Sequence, residues 1–200
     1  MTPSGLKVET FCSSILLTPS PTGLLVFYEI FKFLEESLER HSDSLMGDLL
    51  LPGMARTAAL EQDLAHYLGD GWREGYTVRK EVRGYLEHLQ HLEDDNPYLL
   101  TPYVYHLYMG LFSGGQVLKA KRFLSLSSIA GSRDEEDRPG YNVTSYGEVT
   151  IGSLKKQLKA AMNDLAEELD EETREAILRE GVRVFELNNV IIGSVKGVDR

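Results

Sequence analysis

Tyr105-His106-Leu107-Tyr108-Met109-Gly110-Leu111-Phe112-Ser113-Gly114-Gly115-Gln116 is the stretch on which the reading of this chain turns. It is apolar and helical in spacing, yet it contains three glycines. Each glycine costs roughly 1 kcal/mol relative to Ala inside a helix. A helix accepts that penalty where it bends, or where another group approaches bare backbone. Gly110 and Gly114 are four apart and share a face, with His106 one turn earlier on it. A flat ligand lying on exposed backbone beside an imidazole is one reading of that face. A small-residue seam between two helices is the other.

Outward from this segment, helical periodicity dominates. Leu24, Phe27, Ile30, Phe31, Leu34 and Leu38 form one stripe, which places Glu35, Glu36, Glu39 and Arg40 on the opposite, solvated side. A second helix is expected from Thr57 as N-cap, with Leu60, Leu64 and Leu68 inward, until Gly69 ends it. A third spans about Thr77 to Leu92. Asn96-Pro97 starts the glycine-bearing helix, which has Pro102 near its first turn and reaches about Phe123. Residues 125–149 read as a mobile loop around the acidic run Asp134 to Asp137, with strand-like alternation only at Tyr141 to Val149. Helical spacing resumes at Leu154, Leu158, Met162 and Leu165, and Asp170 caps a last helix bearing Ile177, Val184, Phe185 and Leu187. The expected class is all-α, one domain of six or seven helices. Residues 1–23 have no periodicity, and residues 193–200 form a polar tail.

Composition narrows the function. Of 200 residues 42% are apolar, enough for a core. Lys and Arg number 21 against 31 Asp and Glu, a formal charge of −10. Such a surface disfavours nucleic acid, whose phosphates are bound by Lys and Arg displacing counterions. The single cysteine, Cys12, excludes an internal disulfide framework. No run of about 18 apolar residues exists to span a membrane. Phe11 to Leu17 is short for a secretory signal, so a cytoplasmic location is expected and the Asn142-Val143-Thr144 sequon is idle.

Two further groups bear on chemistry. Lys155, Lys156 and Lys159 open one helix of this acidic protein. Lys155 and Lys159 point the same way, which suits two carboxylates on one ligand, although helix lysines are ordinarily just solvated. His88 and His91 lie beside Glu87 at metal-ligand spacing, but no third ligand accompanies them and surface histidines are expected. His41 ends a helix, where a cation suits the dipole, and His66 flanks an apolar stripe. No phosphate-binding loop, nucleophile elbow or H-E-x-x-H motif is present.

Gly110 through Lys119 resembles the distal-helix signature of the heme oxygenases. Arg56 through Leu64, Leu34 through Arg40, and Met162-Asn163 are similar to further stretches of that family, in collinear order over about residues 24–192. The resemblance implies an all-helical domain that sandwiches heme between a proximal helix and a kinked distal helix. By it, Gly110 and Gly114 line the distal face and Tyr28 belongs to a distal hydrogen-bond network. Tyr105 contacts heme, Lys155 and Lys159 meet the propionates, and Phe185 packs on the macrocycle. The implied reaction uses O2 and electrons from an NADPH-dependent reductase to convert heme, both cofactor and substrate, to biliverdin, iron and carbon monoxide.

The chain departs from the family twice. The family's iron ligand is a histidine on its first helix, whereas no histidine here precedes His41. An aspartate that orders distal water is replaced by Leu111, which neither donates nor accepts a hydrogen bond. His106 stands where a small hydroxyl residue is usual and offers a polar group. Three readings stay open: a heme oxygenase, a heme binder or sensor that has lost the chemistry, and a helical interaction protein whose glycines are only a seam. If heme binds, the Gly110 to Gly115 segment should border the main apolar pocket, with both lysines at its mouth.

Overall fold

The computed structural model describes residues 21–126, 140 and 142–195, with side chains omitted from 115 to 126. Phe11 to Leu17, Asp134 to Asp137 and Tyr141 therefore lie outside the described residues. The described chain is one all-helical domain: α1 (Pro21–Arg40), α2 (Thr57–Leu68), α3 (Lys80–Asp95), α4 (Thr101–Leu126), α5 (Ile151–Glu168) and α6 (Glu171–Val195). Short 3-10 turns stand at Gly47–Leu49, Pro97–Leu100 and Asn142–Thr144. No strand forms at 142–149. The polar groups that would pair in a strand are taken there by side chains instead, as described below.

The core is the expected set of stripes. Leu24, Phe27, Ile30, Phe31, Leu34 and Leu38 of α1 are buried, and α1 packs on α2, α3 and α6. From α4, Tyr103, Val104, Leu107, Tyr108, Leu111 and Phe112 are buried, and α4 packs on α5 and α6. Asn96 starts this region as its sequence suggests: its side-chain oxygen accepts from the Tyr98 N–H at 3.0 Å, with Pro97 following. Helix α4 then continues through Gly110 and Gly114 without a break. Asp170 caps α6 by accepting from the Thr173 N–H at 2.8 Å, and Gly69, at φ 87°, ends α2.

Glu35 departs from expectation. It is 6% exposed, not on the solvated side of α1. One carboxylate oxygen accepts from the Tyr108 hydroxyl at 2.6 Å and from the Arg56 N–H at 2.5 Å, and the other accepts from the Thr57 N–H at 3.1 Å. The first N–H groups of α2 have no partner within that helix, so a buried anion from α1 does the capping. Thr57 accordingly is the first residue of α2, not its N-cap, and its buried hydroxyl has no partner.

The same logic orders the chain after Gly140. Asp63, fully buried, accepts from the Asn142 N–H at 2.8 Å, the Asn142 side-chain amide at 2.7 Å and the Val143 N–H at 2.9 Å. Arg56 donates to the carbonyls of Ser145, Gly53 and Met54 and lies 4.0 Å over the Tyr146 ring. Residues 142–149 are thus tied down rather than a mobile loop, and the Asn142 amide is already engaged. At the far end of α1, Arg40 grips Glu93 of α3 with two hydrogen bonds, at 3.1 and 2.8 Å, and Ser37 adds a third at 2.7 Å. Burial works upward on the Glu93 carboxyl, but these donors outweigh it and hold it below its ordinary range.

Removing the Glu35 carboxylate leaves a buried hydroxyl and two helix N–H groups without an acceptor. Glu35→Ala should destabilise the protein by about 3 kcal/mol, at roughly 1 kcal/mol or more per orphaned group. Glu36→Ala, at an exposed neighbour, should stay within about 0.5 kcal/mol. Urea unfolding followed by circular dichroism measures both.

Candidate functional site

The first turns of α4 form one wall of a cavity of about 730 Å³. Thr101, Pro102, Tyr105 and His106 face it from α4. Lys159, Met162, Leu165 and Ala166 line it from α5. Ile177, Leu178, Gly181 and Val182 complete it from α6, with Leu169 and Arg174 at the α5–α6 turn. The outer lip is apolar as well as exposed, with Leu178 74% and Val182 65% accessible.

His106 is half-buried in these walls. Its ring meets Phe185 edge-on at 4.7 Å and Tyr105 at 5.5 Å, so aromatic packing fixes its plane. A methyl group at Gly181 would sit 3.9 Å from His106 Nε2, at ordinary van der Waals distance. Among the described residues no hydrogen bond engages the ring. Burial alone lowers its pKa from the ordinary 6.5, and the imidazole is neutral at physiological pH. At the rim Lys159 is exposed and, among the described residues, has no ion pair. Arg174 instead donates to the Leu169 carbonyl at 2.8 Å and pairs with Glu171 at 3.7 Å.

The anticipated site residues divide. Tyr105, His106 and Lys159 line this cavity, and Phe185 supports it through His106. Lys155 is half-buried one turn before Lys159 and is not part of the lining. Gly110 and Gly114 are buried further along α4. The cavity therefore meets α4 at Thr101 to His106, a turn earlier than the glycines. Leu111 is 3% exposed and part of the core. Tyr28 gives its hydroxyl to Glu61 at 2.8 Å and lies edge-on to Trp72 at 5.3 Å, so it serves the α1–α2 contact. Burial and the Glu61 hydrogen bond push its pKa up.

The other histidines are committed elsewhere or solvated. His88 is half-buried, not a surface residue: its Nε2 lies 2.8 Å from the Tyr103 hydroxyl and 3.0 Å from Glu180. His41 lies 3.2 Å from Glu93, His91 is exposed, and His66 is exposed against Tyr67. Among the described residues, no group of three or more His, Cys, Asp or Glu is placed to hold a metal ion. Sequence reasoning missed the α6 wall. Its signal was present, since Ile177, Leu178, Gly181 and Val182 put a glycine and an over-wide apolar stripe in one helix.

Comparison with known proteins gives the class. The heme oxygenase family model matches residues 22–193, and the chain belongs to that family. The chain is 33% identical to a heme oxygenase of Takifugu rubripes over 82% of its own length and 57% of the relative's. It is 31% identical to heme oxygenase 1 of Bos taurus over 86% of the chain and 57% of the relative. The chain thus spans little more than half of these relatives. Heme oxygenase 1 of Nostoc sp. is 28% identical over 95% of this chain and 77% of its own. In structure, heme oxygenase 2 of Chlamydomonas reinhardtii, solved without heme, superposes with a TM-score of 0.75 at 25% identity, covering 93% of this chain and 87% of that one. The Synechocystis heme oxygenase-1 complex with heme gives 0.74 at 24% identity, over 94% and 82%, which bears on the fold alone. Among the described residues, no helix is long and apolar enough to cross a membrane.

The His106 environment sets a pH dependence. Its folded pKa lies below the unfolded value of about 6.5, so under mildly acidic conditions the unfolded chain binds more protons. The contribution of His106 to stability should fall as pH drops through about 6.5 and level off once the folded imidazole protonates. NMR titration of the His106 ring should give a midpoint below 6.5. The slope of unfolding free energy against pH should be flatter in His106→Phe than in the native chain.

Proposed function

We propose that the chain binds heme in this cavity and, with O2 and electrons from an NADPH-dependent reductase, opens the macrocycle to biliverdin, iron and carbon monoxide. One observation supports the reading most: a single cavity of about 730 Å³ combines apolar walls, a half-buried neutral imidazole and a rim lysine that has no ion pair among the described residues. That donor set fits heme, which has a flat apolar body, an iron that accepts nitrogen, and two carboxylates on one edge. Heme is the substrate and also supplies the redox chemistry. The residues of the chain do the rest. Met162, Leu165 and Ile177 exclude water from the cavity, Tyr105 offers a ring surface to a planar guest, and Phe185 backs His106. Lys159 neutralises a carboxylate at the rim, with Lys155 one turn away for the second.

A second reading, binding with little turnover, is favoured by Leu111. It is nearly inaccessible, carries no proton and orders no water. Ring opening needs protons delivered at the distal face, so this chain should bind heme more readily than it degrades it.

The test is a hemin titration of the chain followed by addition of reductase and NADPH. A shifted heme absorption band with little biliverdin is the expected result. Lys159→Glu should weaken hemin binding roughly tenfold, as one exposed charge pair turns from attraction to repulsion. Lys156→Glu, off the cavity, should change affinity by less than about twofold by the same reasoning. A hemin spectrum unaltered by the protein would end the heme reading. Rapid stoichiometric biliverdin would end the view that Leu111 limits turnover.

A further inference from the structure

We propose that Tyr103 is a redox-active tyrosine, which yields one electron to a strong one-electron oxidant, such as a heme oxidised by hydrogen peroxide, and passes its phenolic proton to Glu180. The inference goes beyond the heme reading and does not rest on it, because the groups that serve the step all belong to α3, α4 and α6. The Tyr103 hydroxyl donates to Glu180 Oε2 at 2.5 Å. His88 Nε2 lies 2.8 Å from the same hydroxyl and 3.0 Å from that carboxylate oxygen. A phenol has one proton and Tyr103 gives it to Glu180, so His88 presents its N–H to both oxygens. Pro102 and Gly181, the chain neighbours of Tyr103 and Glu180, line the cavity.

The arrangement suits oxidation better than packing. Burial, and then the Glu180 hydrogen bond, push the Tyr103 pKa well up, so the phenol does not ionise beforehand. Electron and proton must leave together, which needs a base within hydrogen-bond reach. In the step the Tyr103 O–H bond breaks, an O–H bond forms on Glu180, and the oxidant gains one electron. The product is a neutral tyrosyl radical beside a carboxylic acid, with the His88 N–H still bonded to the radical oxygen. The Tyr103 ring is inaccessible, which keeps two such radicals from coupling. The His88 and Glu180 side chains are 26% and 20% exposed, so they exchange protons with water.

Other buried rings are served less well. Glu61, the acceptor for Tyr28, is already paired with Arg73, which weakens it as a base. Glu35, the acceptor for Tyr108, already takes two backbone N–H groups and has almost no access to water. Tyr85 donates to the amide oxygen of Asn188, which takes no proton. Arg73 stands 4.5 Å over the Trp72 ring, where a cation opposes a positive hole. Glu180, by contrast, has no Lys or Arg within ion-pair distance among the described residues.

The experiment oxidises the full chain, without heme, by flash photolysis of tris(bipyridine)ruthenium(II) with persulfate, and reads the radical by freeze-quenched electron paramagnetic resonance. The native chain should give a long-lived tyrosyl signal that forms more slowly in D2O. Tyr103→Phe should remove most of that signal, and Tyr98→Phe should keep it. Glu180→Gln retains a hydrogen-bond acceptor but takes no proton. It should slow radical formation by about 100-fold, the low end of what a positioned proton acceptor supplies. Circular dichroism confirms folding, and Glu180→Gln carries the test if Tyr103→Phe does not fold. An undiminished signal in Tyr103→Phe, an unchanged rate in Glu180→Gln, or no long-lived tyrosyl signal in the native chain overturns the assignment. None of these outcomes bears on the heme reading, which the hemin titration tests.

Discussion

The buried carboxylate of Glu35 is the constraint on which the rest of this structure depends. Its three donors lie in two other parts of the chain: the hydroxyl of Tyr108 in α4, and the N–H groups of Arg56 and Thr57 that open α2. An anion with this little solvent is tolerable only when every strong donor around it is in place. Tyr108, with an adjacent carboxylate and no water, has its pKa driven well up by burial and by Glu35. It therefore stays a hydroxyl and a donor. Helix α4 is thereby fixed in rotation about its axis, because Tyr108 must face α1.

That rotation decides which residues of α4 face the cavity. With Tyr108 turned to α1 and Phe31 edge-on to it at 5.1 Å, His106, two positions earlier and on the opposite side of the helix, is turned toward Phe185 of α6. The Arg56 side chain then extends the network. It gathers carbonyls of residues 53, 54 and 145 and stacks on Tyr146, whose ring in turn meets Phe112 of α4 at 5.4 Å. A chain of charged and aromatic contacts therefore links α1, α2, the 142–146 segment and α4. The cavity opens beside this assembly, at the first turns of α4. The scaffold is polar and closely tied, while the site beside it is apolar and open.

The openness is the unusual feature of the site. Leu178 and Val182 face solvent although they belong to the lining, and exposed apolar side chains at a cavity mouth are typical of surfaces built to be covered. A planar apolar guest removes them from water at about 25 cal/mol per Å². The surrounding acidity makes Lys159 at the rim the natural meeting point for carboxylates. Leu111, buried in the core, carries no group that donates or accepts a proton.

Much of this was legible in the sequence. Spacings of three and four residues locate the helices and their buried faces, since a 3.6-residue period leaves its mark on any amphipathic segment. Asn96-Pro97 and Asp170 announce their helices because those caps are local: donor and acceptor lie two or three residues apart. The unusual glycine density from 110 to 115, together with collinear matches elsewhere, points to the family. Tertiary structure alone decided the rest. Nothing near Glu35 in sequence reveals that it turns inward, since its partners are 21, 22 and 73 residues away. Asp63 and residues 142–143 pair across 79 and 80 positions, which turned an expected loop into an ordered segment. His88 likewise read as a surface residue until Tyr103 and Glu180 were brought to it. The α6 wall of the cavity becomes a wall only when α5 folds back beside it. Local periodicity and caps are encoded within a few residues, whereas the partner of a buried charge and the void between helices depend on segments that meet only after folding.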